Sequence, residues 1–460
     1  MGISQYLKSL GYEETVLMEA KIAEWWGWYT AVNDWYSSTE YSPTARRTYK
    51  VERQTIKPAR MVCQEWASLL MNERTGVVCE DDVVNEWLTA HLEETRFFSR
   101  SQSLIERTFA LGTGAWALRV AGIVDGARTS PDAKVIVQRY DARQIRPLSY
   151  DEDTCTECAF TSKVVIGGKP LDQLQIHRLL DGRYVVETAF FDKNGKLVDV
   201  PGIAPYLDTK KDVPAFALIR PNLENTHSDY SPMGVSVFDD AIGAVKLVDV
   251  AVDNTYKDIY LAQKMLFLDE RMIETDAKGN SVVPRAADQQ LFRKTEVDSG
   301  KLIEEYNPDM RIADNRLALT TGLELLGKRT GMGDDYFSIE QSGAMKTATE
   351  VISEQSLLFR NVRKHENLLS PAVSAIVAGI ISLTREVRGV SLPDPGVITV
   401  RFDDSIIEDS DAERKRDLSD MAAGVMQPWE YRAKWYAEDE ATARASLVGT
   451  EPPPPGASGF

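Results

Sequence analysis

The spacing of apolar residues divides the first half of the chain into a helical part and a strand-rich part. A helical period predicts a series of helices: residues 13–35, a segment that begins at Lys57-Pro58, residues 82–98 and residues 99–111. Between residues 112 and 220 the period changes to alternation, and Gly, Asp and Asn separate short apolar runs. Asp181-Gly182 between two of these runs is a hairpin signal. This half is therefore expected to fold as an α+β unit with a mostly antiparallel sheet.

The second half of the chain is predominantly helical by the same criterion. A helix is predicted over 237–266, roughly 45 Å long at 1.5 Å per residue. Strand-like pieces at 264–268 and 302–305, around a turn at 278–280, lead to a second helix over 314–328. The remaining predicted elements are helical stretches over 348–369 and 371–385, a strand at 397–402 and a helical module over 410–447. Pro371 predicts a kink, because proline breaks the helical hydrogen-bond ladder. The proline-rich end, residues 451–460, is typical of an extended tail.

A glycine-bounded acidic loop lies between two of these helices. It reads TGMGDDYFSIEQSGAMKTAT over residues 330–349 and ends at Thr347-x-x-Glu350, a capping-box pattern for the next helix. Glycines at both ends predict a loop that can shift. The loop carries no catalytic constellation, so it indicates a moving contact rather than a reaction site.

The overall charge restricts the possible partners. The 460 residues carry a net charge of −17 with 27% charged and 43% hydrophobic residues, which argues against tight sequence-independent DNA binding through a basic surface. DNA as a transient passenger remains compatible with such a surface. The longest strongly apolar stretch, residues 376–383, is far shorter than a bilayer span, so no membrane partner is expected. Four cysteines indicate a reducing compartment without a disulfide framework.

The aromatic cluster Trp25-Trp26-x-Trp28-Tyr29 has two interpretations. Stacking on nucleic-acid bases is conceivable, but no Arg or Lys is interleaved with the rings. Anchoring of the core or of a subunit contact is therefore favoured.

Other candidate chemistry is sparse. Cys155-x-x-Cys158 resembles half of a zinc site, yet no second ligand pair occurs at the right spacing, so a pair of reduced cysteines at a strand end is favoured.

Adjacent aspartates, which metal-dependent nucleases also use, occur at 239–240, 334–335 and 403–404. Each pair is better explained as a helix N-terminal charge or a turn. No P-loop, GxGxxG, HExxH or GxSxG pattern occurs. We therefore expect no enzyme activity, no metal and no cofactor.

The order of the parts resembles the portal proteins of tailed bacteriophages, in the siphophage branch sometimes called minor capsid proteins. The most specific pieces are the box Ser-Pro-Met-Gly-Val-Ser at 231–236 and the box Lys-Thr-Ala-Thr-Glu-Val at 346–351, on either side of a helix–insertion–helix hairpin and its loop. The resemblance covers nearly the whole chain.

The resemblance implies a portal fold assembled as a ring of about twelve subunits. Carried over by position, its parts are a wing (1–236), a stem helix (237–266), a clip (267–312), a second stem helix (313–330), a tunnel loop (331–346), a kinked helix with a wing return strand (347–403), a crown (404–448) and a flexible tail (449–460).

The implied function is a channel at one capsid vertex for DNA packaging, retention and ejection. Candidate residues on the DNA channel are Lys246, Lys328, Arg329, Asp334, Asp335, Tyr336, Phe337, Glu340 and Lys346. Candidates for docking at the clip are Arg271, Glu274, Lys278, Arg285, Arg293 and Lys294. Structural salt bridges are an equal explanation for any one basic residue of the channel set.

The implied partners are further copies of the chain, double-stranded DNA, the terminase large subunit, head–tail adaptors, and major capsid and scaffolding proteins. The implied location is the virion, after assembly in the cytoplasm of the host bacterium. Two alternatives stay open: a metal-dependent nuclease that uses the paired aspartates, and a monomeric acidic scaffold.

Overall fold

The structure is a computed structural model that describes residues 2–12, 18–43, 46–72, 74–122, 133–201, 203, 205–262, 265–269, 277, 292–295, 303–338, 348–402, 410–436 and 440–446. For residues 265–269, 292–295, 303–306, 348–356, 410–413, 415, 441 and 445, only the backbone is described. The chain divides into two compact units, Met1–Phe402 and Asp403–Phe460. Its secondary structure is 45% helix and 25% strand, which is consistent with the predicted α+β class.

The N-terminal part of the first unit is helical, as the apolar spacing predicts. Its helices are α1 (Ile3–Ser9), α2 (Glu19–Thr30), α3 (Pro58–Leu70), α4 (Asp82–Glu94) and α5 (Phe97–Leu111). Helix α3 begins at Pro58 as expected, because proline fits the first helical position. Helix α2 is shorter than the predicted 13–35 because Met18 and Ala31, at its two ends, adopt left-handed conformations with φ of 60° and 58°.

Strands take over where the sequence period changes. One sheet has the order β12-β4-β5, with β4 Gly114–Ala121, β5 Lys134–Asp141 and β12 Phe216–Ile219. The other sheet contains β6 Ile145–Asp151, β7 Thr154–Ile166, β8 Lys169–Leu180, β9 Arg183–Phe191, β10 Leu197–Val198 and β11 Tyr206–Asp208. Its strand order is β10-β9-β8-β7-β6, and β11 also pairs with β9. Every pairing in the two sheets is antiparallel.

The hairpin signal at Asp181-Gly182 is confirmed. These two residues join β8 to β9, and Leu180 pairs with Arg183. Both turn residues have positive φ, 48° and 74°, as a two-residue hairpin of the type I′ class requires.

A polar strip lies within the packed sheets. Gln173, Gln175 and His177 alternate along β8 and are fully buried. The amide of Gln175 donates to the carbonyl oxygen of Leu118 on β4 at 2.7 Å. The ring of His177 lies edge-on to Phe160 and Phe216 at 5.4 and 5.3 Å between centroids. Burial lowers the pKa of His177 to about 3, so this ring is neutral in the folded protein.

Along the chain, three strands lie between helix α6 (Ile242–Leu261) and helix α7 (Ile312–Arg329). They are β13 Met265–Asp269, β14 Phe292–Thr295 and β15 Ile303–Tyr306, and they form a sheet of order β14-β13-β15. The helix over 314–328 and the two predicted strand pieces are confirmed. The turn predicted at 278–280 lies outside the described residues.

The prediction of a helix over 237–266 is wrong in length. Helix α6 has 20 residues, about 30 Å. Before it, the amide of Val237 donates to the carbonyl of Phe109 on α5 at 2.9 Å, and Asp239–Ala241 forms a 3-10 turn. After it, Met265 begins β13. Apolar residues at both ends therefore extend the helical pattern in the sequence without belonging to the helix.

Helix α8 (Ala348–Arg388) is continuous through Pro371, so the predicted separation into two stretches is wrong. The missing amide of one proline costs about 3 kcal/mol, whereas the residues around it, such as Val373 and Ile376, are fully buried. Core packing on both sides outweighs the local cost.

The part of α8 over residues 357–388 is long and apolar enough to span a membrane by composition, but 56% of its most apolar window is buried, as in a core helix.

The chain returns to the N-terminal region after α8. Strand β16 (Ile398–Arg401) pairs antiparallel with β3 (Gly76–Cys79), and the strand predicted at 397–402 is thereby confirmed. The remaining pair of strands, β1 (Ser37–Ser42) and β2 (Arg47–Glu52), forms a hairpin of its own.

The second unit contains α9 (Ser410–Ala422), α10 (Pro428–Tyr436) and α11 (Glu440–Ala445). In it, Asp417 accepts a hydrogen bond from Trp435 at 2.8 Å and forms an ion pair with Lys434 at 2.7 Å.

We expect His177→Leu to reduce the sensitivity of the protein to acid. The pKa of His177 is about 3 when folded and about 6.5 when unfolded, so the unfolded chain takes up the proton first, and stability falls as pH drops from about 6.5 towards 3. Between pH 7 and pH 5 this residue alone accounts for a loss of about 2 kcal/mol in the free energy of unfolding. Urea denaturation at both pH values should show a loss smaller by that amount in the variant. Equal losses in the variant and the parent would refute the assignment.

Candidate nucleic-acid interface

The predicted channel residues belong to the hairpin of α6 and α7 and to the loop that follows α7. The two helices approach closely at Gly322, where a Cβ atom would lie 3.0 Å from a methyl group of Val248 and 3.2 Å from its backbone nitrogen. Further apolar side chains are buried on the facing sides, including Val245 on α6 and Leu323 and Leu326 on α7. Glycine at position 322 therefore allows α6 and α7 to approach closely at this crossing.

Polar contacts fasten the far end of the hairpin. Asp258 on α6 accepts hydrogen bonds from the guanidinium of Arg311 at 2.8 Å and from the amide of Asn315 at 2.9 Å. The hydrogen bond from Arg311 is the main reason why the pKa of Asp258 lies below its usual value. Together with the close helix crossing, these bonds fix the direction of the hairpin.

The loop begins with a tight cap on α7. The amides of Met332 and Gly333 both donate to the carbonyl of Gly327, at 2.9 and 3.2 Å. Gly331 and Gly333 have φ of 81° and 103°, conformations that favour glycine. A Cβ atom on Gly327 would lie 2.1 Å from the carbonyl oxygen of Gly333, so the returning chain packs directly on the helix.

Side chains from distant parts of the chain hold this cap. The indole of Trp66 on α3 donates to the carbonyl of Thr330 at 3.1 Å, and Asn361 on α8 donates to the carbonyl of Gly331 at 2.8 Å. The hydroxyl of Tyr336 donates to Glu65 at 2.9 Å. Burial, and next the hydrogen bond to Glu65, raises the pKa of Tyr336. The loop is thereby attached to two core helices.

These contacts change the interpretation of the first glycines. The sequence suggests a hinge at Gly331 and Gly333, whereas both residues close a hydrogen-bonded cap. The described part of the loop, up to Ser338, is an anchored segment. The second predicted hinge, Ser342-Gly343, and Thr347 of the capping box lie outside the described residues.

Lys328, Arg329 and Asp334 lie at the end of α7 and at the start of the loop. The ammonium of Lys328 is 3.4 Å from the carboxylate of Asp334, and both side chains are more than half exposed. Arg329 and Lys328 line a cavity of about 280 Å³ next to the start of α6, together with Lys364 and several acids: Glu224, Asp239 and Asp240. Both basic and acidic side chains therefore line this cavity.

The predicted channel residue Lys246 has partners within the fold. Its ammonium lies 5.3 Å from the ring centre of Trp28 and 5.2 Å from that of Trp35. Aromatic faces attract cations in this geometry. A phosphate group would have to compete with both rings for this lysine.

Tyr336 and Phe337 pack edge to face, with 5.0 Å between ring centroids. Asp335 is exposed on the same segment, and its backbone carbonyl accepts from the amide of Ser338 at 3.0 Å. Glu340 and Lys346 lie outside the described residues. The structure thus brings together the predicted residues from Lys328 to Phe337 and places Lys246 in a separate aromatic environment.

The docking candidates fall mostly outside the described residues, as is the case for Arg271, Glu274, Lys278 and Arg285. Arg293 and Lys294 lie on β14, where their backbones pair in parallel with Phe267 and Leu268 of β13.

In the aspartate pair at 239–240, Asp239 has structural partners. One oxygen of Asp239 accepts from the indole of Trp25 at 2.7 Å, and the other lies 2.5 Å from a ring nitrogen of His227. Among the residues that the structure describes, no group of three or more His, Cys, Asp or Glu side chains is arranged to hold a metal ion. The pair at 403–404 lies outside the described part.

The core interpretation of the N-terminal aromatic cluster is confirmed. Trp25, Trp28 and Tyr29 are buried. Trp26 is partly buried, and the guanidinium of Arg143 lies 3.6 Å above its ring. Cys155 and Cys158 lie on β7 as free thiols, and burial raises the pKa of Cys158 well above its usual value.

Sequence reasoning did not identify Glu65, Trp66, Asn361 or Lys364 as neighbours of the loop. They come from α3 and α8, far from the loop along the chain, and none belongs to a recognisable motif. Only the three-dimensional packing of the helices brings them to the loop.

Comparison with known proteins identifies the family of the chain. The family model described as phage portal protein, SPP1 Gp6-like, matches residues 20–427. No individually curated protein matches the chain closely.

We expect Gly331→Ala to destabilise the protein more than Gly333→Ala. Both substitutions force alanine into positive φ, at a cost of about 1 kcal/mol. At Gly331 the new Cβ would also lie 3.0 Å from the amide nitrogen of Asn361, whereas nothing lies within 4 Å at Gly333. Urea denaturation should show losses of about 2–3 and about 1 kcal/mol, respectively. Equal losses would mean that Asn361 does not hold the cap.

Proposed function

This chain belongs to the family of phage portal proteins, and on that premise we propose that it forms a ring in which α6 and α7 of each subunit line a DNA channel. Membership of this family identifies the chain as a bacteriophage portal protein, a capsid component that takes part in genome packaging. The family is structural rather than enzymatic, and we propose no reaction for the chain.

The observation that carries the proposal is the apolar surface of the α6–α7 hairpin. The exposed large apolar residues here are Tyr256, Ile259, Tyr260 and Leu261 on α6, and Ile312, Leu317 and Leu325 on α7. Tyr256 and Tyr260 stack with 6.1 Å between ring centroids. An exposed apolar surface of this kind is typical of a protein–protein interface, and equivalent hairpins of neighbouring subunits are the proposed occupants.

The charge of the chain fits a channel through which DNA must move. Each subunit carries a net charge of −17, and a closed ring multiplies it. Fixed phosphate contacts add affinity that must be broken at each step of movement. A ring with this net negative charge would let DNA pass with low resistance.

The proposed parts follow the described elements. The wing would comprise α1 to α5, the two antiparallel sheets and the return strand β16. The stem would be α6 and α7, the clip would contain β13 to β15, the tunnel loop would start at Gly331, and α9 to α11 would form the crown.

The proposed partners follow from the family and from this arrangement. Further copies would form the ring, the terminase large subunit would dock at the clip during packaging, and head–tail adaptors would take its place later. Major capsid and scaffolding proteins would surround the ring at one vertex of the virion, after assembly in the host cytoplasm. Arg293 and Lys294 on β14 are the described docking candidates.

Leu317→Glu should prevent ring formation. Its side chain is 69% exposed on α7, so a charge at this position leaves the monomer stable but has to be desolvated in the subunit interface. Negative-stain electron microscopy of the purified chain should show rings with a central hole for the parent and single subunits for the variant. Val165→Glu, at a position that is 73% exposed on β7, is the matched control and should still form rings. A parent chain that stays monomeric at high concentration would contradict the proposed ring.

Deletion of residues 338–342 should impair DNA packaging or retention without affecting ring formation. The deletion begins after the contact of Tyr336 with Glu65, so the cap on α7 is kept. Packaged DNA can be measured as nuclease-resistant genome in assembled particles, with ring formation followed by electron microscopy. If the deletion abolishes rings as well, the loop is a subunit interface rather than a contact for DNA.

A further inference from the structure

The hairpin of β1 and β2 projects from the first unit without a core of its own. We call residues 37–52 the arm. No described residue of either strand is buried, and in the part of the chain that the structure describes the two strands pair only with each other. An isolated two-stranded hairpin is at best marginally stable in water. A hairpin of this length therefore needs support at its base, a partner along its length, or both.

The base of the arm is firmly attached to α6. The hydroxyl groups of Tyr36 and Thr55, one on each side of the arm, donate to the two oxygens of Asp249 at 2.7 and 2.6 Å. The backbone amide of Gln54 donates to Asp253, one turn further along α6, at 3.1 Å. Both carboxylates are buried. Burial raises the pKa of Asp249, an energetic cost that its hydrogen bonds offset.

This attachment fixes the direction of the arm before any partner binds. The amide of Arg53 also donates to the carbonyl of Tyr36 at 2.9 Å, and the guanidinium of Arg53 lies 3.8 Å above the ring of Trp35. A segment that is held in one orientation loses less conformational entropy on binding than a free loop. The arm is therefore prepared for an intermolecular contact.

The surface of the arm has the composition of an interface. Tyr41 is 63% and Tyr49 is 46% exposed, and because they occupy adjacent register positions they lie on opposite faces of the hairpin. Tyrosine and arginine are enriched at protein interfaces. Arg46 and Arg47 are exposed near the tip, whereas the whole chain carries a net charge of −17. A basic tip on an acidic protein is complementary to another copy of the same protein.

We propose that the arm binds the acidic surface of a neighbouring copy of this chain and so clasps adjacent subunits together. This inference rests on the proposed ring, since it requires copies side by side. The arm is rooted on α6, the same helix whose outer end carries the exposed apolar residues of the proposed subunit contact. DNA is the less suitable partner, because Glu40 and Glu52 lie among the three basic residues of the arm.

Site-specific cross-linking identifies the partner. A photoreactive phenylalanine derivative replaces Tyr49 in the full chain, and purified oligomers are irradiated with and without double-stranded DNA. The expected product is a covalent dimer whose cross-linked peptide, found by mass spectrometry, joins residue 49 to an acidic segment of a second copy. Products that are only intramolecular, or that contain only DNA, would overturn the proposal.

Charge reversal tests the contribution of the tip. Arg46→Glu with Arg47→Glu should raise the protein concentration needed for half-maximal assembly about tenfold, which corresponds to the loss of about 1.4 kcal/mol, and the unfolding midpoint of the monomer should stay unchanged. Lys163→Glu with Lys169→Glu, exposed residues on the β7–β8 hairpin, makes the same change in net charge and should leave assembly intact.

The outcomes separate this inference from the proposed function. If the parent forms rings and the arm variants assemble as readily, the arm proposal is wrong and the ring stands. If the control pair weakens assembly as much as the arm pair, the effect is one of net charge and the arm proposal also fails. If the parent never forms rings, both proposals fail together.

Discussion

The hydrogen bond from the indole of Trp66 to the carbonyl of Thr330 connects the rigid part of the first unit to the proposed channel. A buried indole requires a hydrogen-bond acceptor, and the last carbonyl groups of a helix such as α7 lack partners within the helix. Each group therefore satisfies the other. The same ring lies 5.8 Å from Phe109 on α5 and 4.7 Å from His365 on α8. One side chain of α3 thus joins three other helices at the point where the loop begins.

Several cations of the first unit contact aromatic rings or carboxylates within the fold. Lys246 faces two tryptophan rings, Arg143 covers Trp26, and Lys328 is close to Asp334. At the base of the arm, the buried Asp249 accepts hydrogen bonds from two hydroxyl groups, and the buried Asp253 forms an ion pair with Lys257. With 53 basic and 70 acidic residues, the chain keeps a net charge of −17. In the proposed ring, this negative charge would favour sliding of DNA over adhesion.

Local patterns predicted those elements whose causes are local. Proline at the start of α3, the Asp181-Gly182 turn and the spacing of α7 act within a few residues, and the structure confirms them. The length of α6, the continuity of α8 through Pro371 and the cap after α7 depend on partners far along the chain, such as Phe109 and Trp66. Single-sequence periodicity contains no information about such partners, so it overextended α6. For the same reason, the glycines after α7 suggested a hinge where the structure has an anchored segment.

The pairing of β3 with β16 has a consequence for synthesis of the protein. Ribosomes make the chain from its N-terminus, and β3 is complete once residue 79 has been made, but its partner begins only at residue 398. Contacts between such distant segments form late. Until then β3 keeps an open edge, and the region around it stays incomplete while both helices of the α6–α7 hairpin are already synthesised. A subunit able to join the proposed ring would therefore exist only after nearly the whole chain has been made, which would discourage assembly among unfinished chains.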